Sequence, residues 1–133
     1  MKISNLAWTE NVAFPGQGEN IDCPDWVTIK DKLQNLLNSS GVVKLEAEDE
    51  WDRSKCLDVN IEKNMYFLTL GEETEDNWIV KTYKNPDVEP PGEMVEILGN
   101  RWNNQSICFD AKLVLMIFEE FFNTGSVSNK YLR

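Results

Sequence analysis

The chain has 133 residues, of which 41% are hydrophobic and 11% aromatic, enough apolar material for one domain with its own core and too much for a wholly disordered chain. Its 23 acidic residues outnumber its 13 basic residues, and the net charge of −10 argues against direct binding to nucleic acid or to anionic membranes. We therefore expect a single domain over residues 1–133 whose surface attracts basic proteins. A purely solubilising role for this charge is the alternative.

The first predicted helix follows an irregular N-terminal stretch, in which a short strand precedes a turn at residues 15–18. Asp22 is expected to cap this helix, and Pro24 fits its first turn. Gly41 is expected to end the helix as a left-handed cap. The apolar residues at helical spacing between these ends are Trp26, Ile29, Leu33, Leu36 and Leu37.

Four strands are predicted after this helix. In residues 43–48 and 57–62, apolar and polar side chains alternate, as in a strand with one face exposed to water. Residues 66–70 and 78–83 are rich in aromatic and branched side chains, which favour strands. Asn85-Pro86 and the run Glu89-Pro90-Pro91-Gly92 then predict a loop.

A hairpin and a second helix complete the predicted fold. Residues 94–98 and 105–109 resemble two paired strands whose loop, 99–104, is too long for a tight turn. Asp110 is a plausible cap for the second helix and Gly125 supplies its end. The apolar stripe of this helix is predicted to be core and consists of Leu113, Val114, Ile117, Phe118, Phe121 and Phe122.

The order of these elements indicates the fold class. Consecutive strands without intervening helices favour antiparallel pairing, with the helices packed on the sheet. We therefore predict an α+β fold, an antiparallel β-meander of about five to six strands with an N-terminal and a C-terminal helix packed on it.

The residue types argue against catalysis. The chain has no histidine, which removes the commonest general base, the commonest metal ligand and every histidine-activated nucleophile. The acidic runs lack the spaced oxygen ligands and the glycine of a calcium-binding loop, and no phosphate-binding glycine loop is present. We expect no enzyme activity, no metal and no cofactor. The alternative is a carboxylate-based hydrolase, which requires two acids with distinct environments in a pocket.

The cysteines and the apolar runs indicate the compartment. Cys23, Cys56 and Cys108 are odd in number and widely spaced, which suits buried thiols in a reducing compartment better than disulfides or a zinc site. The longest apolar run, 113–118, is too short to cross a bilayer, and the N-terminus lacks the pattern of a signal peptide. We expect a cytoplasmic protein without membrane contact.

Two acidic clusters, each beside a tryptophan, are the candidate partner-binding site. Alternate loops of an antiparallel meander lie at the same end of the sheet, so the clusters at 46–52 and 72–76 are expected to form one negative patch. Trp51 fits either an interface anchor or a core residue at a strand end. The candidate residues are Glu48, Asp49, Glu50, Trp51, Asp52, Glu72, Glu73, Glu75 and Asp76.

A second aromatic loop has two interpretations. Arg101 and Trp102 lie among the asparagines of residues 100–104, and both residue types are favoured at interfaces. A tryptophan in a loop can equally fold back to cover the core.

Three C-terminal stretches share a pattern with a known group of proteins. They are residues 95–97, 107–110 and 117–127, the last containing a phenylalanine pair, Phe121 and Phe122, at the end of a helix, followed by Thr-Gly and a short hydrophobic tail. In this segment the chain resembles bacterial immunity proteins, the cognate inhibitors of polymorphic-toxin and contact-dependent growth inhibition (CDI) systems. The small acidic α+β layout agrees with this family in outline.

The resemblance implies a cytoplasmic antidote that binds one cognate toxin domain, often a nuclease, and inhibits it stoichiometrically. Nucleases that bind phosphates are basic, and a strongly acidic protein complements them. In this interpretation Phe121, Phe122, Thr124 and Gly125 are structural. The alternative is an acidic adaptor or nucleic-acid mimic that binds another basic cellular protein through the same surface.

Overall fold

The computed structural model describes residues 2–10, 18–88 and 92–133. Most of the turn expected at 15–18 and part of the proline-containing loop, residues 89–91, lie outside the described residues. The helices are α1 (Trp26–Leu37) and α2 (Ala111–Thr124), and the described strands are β1 (Lys2–Glu10), β2 (Gly18–Asp22), β3 (Gly41–Glu48), β4 (Ser54–Glu62), β5 (Met65–Glu73), β6 (Trp78–Thr82), β7 (Met94–Ile97), β8 (Asn100–Asn103) and β9 (Ile107–Cys108).

The main sheet has the strand order β2-β1-β3-β4-β5-β6, and each neighbouring pair is antiparallel. The short strand β9 pairs with β5 beside β6. Strands β3 to β6 form the expected meander, and the β1–β2 hairpin extends it because β1 pairs with β3. The predicted α+β fold, with an N-terminal and a C-terminal helix on a largely antiparallel sheet, is confirmed.

One face of the sheet, which we call the helix face, carries the main core. Alternating residues of the central strands are buried there, as their period of two requires. The two helices cover this face and contact each other, with Trp26 and Phe122 ring centroids 5.8 Å apart. The buried strand residues include Val43, Leu45, Leu57, Val59, Leu68 and Leu70, and they form one cluster with Ile29, Leu33, Val114, Ile117, Phe118 and Phe121 of the helices.

The ends of α1 differ from the expected ones. The Asp25 side chain accepts a hydrogen bond from the Thr28 backbone N–H at 2.8 Å and is the N-cap, whereas Asp22 ends β2. Gly41 is the first residue of β3 rather than the cap of α1. Its φ of 149° and the closeness of Thr9 on β1 explain the glycine, because a Cβ there would overlap the Thr9 carbonyl oxygen.

Both ends of α2 are as predicted. Asp110 caps the helix by accepting hydrogen bonds from the backbone N–H groups of Lys112 and Leu113 at 3.0 and 3.4 Å. Gly125 ends it in the left-handed conformation, with a φ of 74°. The contacts of Asp110 and Gly125 therefore fix the two ends of α2.

The predicted final hairpin is wrong in its pairing. Strand β7 pairs with β8 through a tight turn at Leu98 and Gly99, which have φ angles of 52° and 84°. Residues 107–108 instead form β9, in which Cys108 lies opposite Tyr66 of β5. This turn was not predicted from the sequence, because leucine is an unusual residue at a positive φ.

The β7–β8 hairpin covers part of the other face of the sheet, which we call the open face. Trp102 stacks on Phe67 of β5 with ring centroids 3.9 Å apart, and Ile97 and Ile107 are buried beside them. Trp102 therefore covers a second, smaller core, and the interpretation in which this tryptophan folds back is correct. The rest of the open face carries no helix among the described residues.

Candidate functional site

The two acidic loops lie at the same end of the main sheet, as the meander predicts. The loop 49–53 joins β3 to β4 and the loop 74–77 joins β5 to β6. The backbone N–H of Ser54 donates to Oε2 of Glu73 at 2.9 Å, so the strand ends beside the two loops are directly connected. We call these two loops and the adjoining ends of β3 and β5, with the nine candidate residues, the acidic end.

Most carboxylates of the acidic end face solvent. Glu72 is one exception, because its side chain is 21% exposed and its Oε1 lies 3.4 Å from Nζ of Lys81. That oxygen is inaccessible to water and has no hydrogen-bond partner within the described part of the chain, so the ion pair is its main compensation. Asp49 is half-buried, and the exposed carboxylates are Glu48, Glu50, Asp52, Glu73, Glu75 and Asp76.

Asp49 builds the first loop. Its Oδ1 accepts hydrogen bonds from the backbone N–H groups of Trp51 and Arg53 at 2.8 and 3.0 Å. The Arg53 hydrogen bond is the main cause that lowers the pKa of Asp49, with a smaller contribution from the Trp51 N–H. Because Asp49 fixes this turn, Trp51 points away from the core and is 71% exposed. Of the two interpretations of Trp51, the core residue is excluded.

The second loop is closed by its own ends. The backbone N–H of Thr74 donates to the Asn77 carbonyl oxygen at 2.7 Å, and the Asn77 N–H donates to Oγ1 of Thr74 at 3.0 Å. Glu75 and Asp76 occupy the tip between them and are exposed. The carboxylates at the tip are therefore presented on an ordered turn.

Trp78 extends the acidic end onto the open face. Its indole lies across Gly71 of β5, and a Cβ at Gly71 would overlap Cζ2 of the indole. Trp78 is nevertheless 52% exposed. Together with Lys44, Glu46 and Cys56 it lines a shallow cavity of about 280 Å³ on the open face. The glycine thus lets a large aromatic side chain lie flat on the sheet.

The chemistry of the open face is limited. Burial raises the pKa of Asp58, and its Oδ1 accepts a hydrogen bond from the Thr69 hydroxyl at 2.6 Å. Burial also raises the pKa of the Cys56 thiol to about 12, so this cysteine is protonated at neutral pH and a poor nucleophile. The carboxylate-hydrolase alternative requires two cooperating acids, and Asp58, with its raised pKa, could supply one of them.

The remaining two cysteines lie in different environments. Cys108 is buried, as expected, but Cys23 is exposed, contrary to the expectation of a buried thiol. Within residues 2–10, 18–88 and 92–133, no three histidine, cysteine or acidic side chains converge as metal ligands would. Neither described helix has the length and apolar character needed to cross a membrane.

The exposure of two apolar residues beside Trp78 was not predicted from the sequence. Ile79 and Val80 are 46% and 56% exposed, and the prediction of strand 78–83 from its aromatic and branched side chains did not include this exposure. The available signal was the absence of alternation in the run Trp-Ile-Val, which gives both faces of β6 an apolar character.

The fold occurs in another solved protein. The chain is similar to a protein described as "Crystal structure of a hypothetical protein from Neisseria gonorrhoeae", with a TM-score of 0.71 and 19% sequence identity over 95% of this chain and 91% of that chain. At this identity the similarity shows a common fold. No curated protein matches the sequence.

The sequence itself matches one family model. The match covers residues 10–131, which include α1, α2 and every strand from β2 to β9. The chain therefore belongs to the family described as "Family of unknown function (DUF6911)".

Proposed function

We propose that the protein binds a basic toxin domain through the acidic end and neutralises it by stoichiometric inhibition, as a cytoplasmic immunity protein. The observation that carries this proposal is the juxtaposition of the two acidic loops, connected through Ser54 and Glu73, beside the exposed Trp51. The C-terminal resemblance to immunity proteins supports the choice of a toxin as the partner.

The electrostatic part of the proposal follows from the adjacency of the two loops, whose flanking strands β4 and β5 are paired. Fields of exposed charges are screened over about 8 Å at physiological ionic strength, so carboxylates on adjacent loops act on an approaching protein together. The net charge of −10 adds a favourable background for any basic partner. Such a field raises association rates by about ten- to a thousandfold, and the effect falls as salt rises.

Trp51 supplies the apolar contact that charges alone lack. A tryptophan that is 71% exposed offers a large surface to bury, and tryptophan is enriched among the residues that dominate binding energy. Asp49 holds the Trp51 backbone in a fixed turn, so little conformational entropy is lost on binding. The surrounding carboxylates then form the polar rim of the contact.

The proposed mode of inhibition is occupation of the toxin's substrate-binding surface. A nuclease toxin binds phosphates with lysine and arginine side chains, and exposed carboxylates compete for those side chains. Inhibition by this route requires one molecule of this protein per toxin and no chemical step. The absence of histidine from the sequence is compatible with this requirement.

The test is capture of the partner with three versions of the protein as bait, in extracts of the source organism. The first bait is unaltered, and the second has Glu48, Glu50, Asp52, Glu75 and Asp76 changed to lysine. These positions leave out Asp49, Glu72 and Glu73, which have local bonding roles. The control bait has the same number of reversals at exposed acids elsewhere, namely Glu19, Asp22, Asp31, Glu96 and Glu119.

We expect the unaltered and control baits to retain a basic toxin domain at one-to-one stoichiometry and the acidic-end variant to lose it. One equivalent of the unaltered protein should then abolish the activity of the captured domain. Equal capture by all three baits would contradict the role of the acidic end. Recovery of only nucleic-acid-binding housekeeping proteins would favour the adaptor or mimic instead of an immunity protein.

A further inference from the structure

Strand β6 is one edge of the main sheet, and only part of its outer side is paired. The C-terminal residues pair with the end of β6 at Thr82 and with the following residue, Tyr83. Arg133 N–H donates to the Thr82 carbonyl oxygen at 3.0 Å, and Thr82 N–H donates to the Arg133 carbonyl oxygen at 3.2 Å. Tyr83 also bridges to Leu132. The near part of β6, residues 78–80, has no such cover among the described residues.

The direction of the backbone groups in this near part follows from strand geometry. In a regular strand the N–H and C=O of one residue point to the same side, and successive residues alternate. The outward bonds of Thr82 therefore place the N–H and C=O groups of Val80 and Trp78 on the outer side as well. Those of Ile79 point to β5, where this residue lies opposite Glu72.

The side chains of the same three residues are unusually exposed for an edge strand. Trp78, Ile79 and Val80 are 52%, 46% and 56% exposed, so both faces of the edge are apolar. Natural edge strands are normally protected by charges, prolines or bulges, because an apolar edge with free backbone groups pairs with other strands. Lys81 gives little protection, since its ammonium is paired with Glu72.

We propose that residues 78–80 of β6 bind an extended, positively charged segment of the partner protein as an additional strand of the sheet. The positive charge is inferred from the loop 74–77, which carries Glu75 and Asp76 directly before the open edge. Backbone hydrogen bonds to Trp78 and Val80 fix the segment, and its apolar side chains cover those of β6. The choice of a basic occupant rests on the proposed function.

A second copy of this chain fits the edge less well. Each copy carries a net charge of −10, so self-association is opposed by repulsion. The pairing of Thr82 with Arg133 also shortens the open edge, so two copies could share only a short ladder. A basic segment from another protein is attracted by this charge and not repelled by it.

The test uses a short, blocked peptide of alternating lysine and valine as the probe, and amide hydrogen exchange followed by NMR as the readout. Saturating peptide should slow exchange of the Trp78 and Val80 amides by about tenfold or more, because they gain hydrogen bonds. The Ile79 amide, already directed to β5, is the internal control and should change little. A peptide of alternating glutamate and valine should give no protection.

A pair of variants separates the backbone edge from its side chains. Val80→Pro removes an outward N–H that no described residue uses, and it should lower affinity for the lysine–valine peptide by about tenfold. Val80→Thr keeps the N–H and should change affinity by less than about threefold. If Val80→Pro does not fold, the exchange measurement on the unaltered protein decides the question.

Three results would overturn the inference. They are no protection at Trp78 and Val80, equal protection by the glutamate–valine peptide, and concentration-dependent dimerisation of the unaltered protein that Val80→Pro abolishes. These failures are distinct from failure of the proposed function. Loss of capture on reversing the acidic end would stand without edge protection, and edge protection would stand if no toxin were captured.

Discussion

The carboxylate of Glu73, at the end of β5, accepts a hydrogen bond from the backbone N–H of Ser54 at the start of β4. Ser54 and Glu73 end neighbouring strands whose last register pair is Lys55 opposite Glu72. This contact joins the strand that follows one acidic loop to the strand that precedes the other. One of the carboxylates that makes the surface negative therefore also fixes the relative position of the two loops.

The Glu73 contact predicts different effects for two substitutions. Glu73→Ala removes the acceptor and should lower the free energy of unfolding by about 0.5–1 kcal/mol, the usual worth of a solvent-accessible hydrogen bond. Glu73→Gln keeps a side-chain oxygen and should remain close to the unaltered protein. Urea denaturation of the three proteins measures the difference. Equal losses in both variants would mean that the charge of Glu73, and not its hydrogen bond, stabilises the fold.

The Trp78 indole lies over Gly71, so a side chain introduced at Gly71 should move the indole. The backbone of Gly71 does not have a positive φ, so Gly71→Ala is compatible with the strand, but the new methyl group must displace the indole. We expect the Trp78 indole N–H resonance to shift, with a change in the free energy of unfolding of less than about 1 kcal/mol, because the side chain is half exposed. The resonance is identified as the one missing from Trp78→Phe. An unchanged resonance in Gly71→Ala would contradict the packing.

Asp58 predicts a pH dependence of stability. Burial, the largest cause, raises its pKa above the ordinary value of 3.8, so the folded state disfavours the carboxylate relative to the unfolded chain. The folded state then binds protons more readily, and this residue's contribution to stability improves as pH falls through the raised pKa towards 3.8.

Asp58→Asn tests that sign. The amide oxygen can still accept the hydrogen bond from the Thr69 hydroxyl, but no charge is buried. We expect the variant to be more stable than the unaltered protein at pH 7 and the difference to shrink as pH falls towards 3.8. Free energies of unfolding measured across this range decide the matter. A variant less stable at pH 7 would show that the Thr69 hydrogen bond to the carboxylate, together with nearby Lys44, outweighs the cost of burial.

The β4–β5 turn predicts a gain in stability far from the acidic end. Lys63 and Asn64 have φ angles of 50° and 61°, the left-handed conformations of a two-residue hairpin turn, and both are exposed. Asparagine followed by glycine is the preferred pair there. Replacing both residues accordingly should raise the free energy of unfolding by about 0.5–1 kcal/mol, because a bulky lysine leaves a strained position. Chemical denaturation measures the gain, and partner binding should stay unchanged.

Periodicity made most of the fold predictable. The alternation in β3 and β4 and the apolar stripes of α1 and α2 are strong local signals because each buried face is imposed on its own segment. The β7–β8 hairpin was not predicted because its sequence lacks such a periodic signal. Its second strand, Asn100–Asn103, contains one apolar residue, Trp102, and its turn begins with Leu98 at a positive φ.

The candidate site was predictable in position but not in detail. Antiparallel connectivity alone places the two acidic loops at the same end of the sheet. The roles of Asp49 and Glu73 as hydrogen-bond acceptors depend on turn and register geometry that composition does not encode. The exposure of Val80 depends on β6 being an edge strand, and on the C-terminal tail pairing with Thr82, both of which are settled by residues distant in sequence.

The position of β1 between β2 and β3 has a consequence for how the chain reaches this structure. The hairpins β3–β4, β4–β5 and β5–β6 close over short loops, whereas the pairing of Leu6 with Leu45 must wait until α1 and β3 exist. Non-local pairings carry a larger loop-closure entropy and form more slowly than local ones. During synthesis β1 leaves the ribosome before every other strand described here, yet it acquires its second neighbour only after β3 has emerged. The pairing of β1 with β3 is therefore expected to form more slowly than the local hairpins β3–β4, β4–β5 and β5–β6.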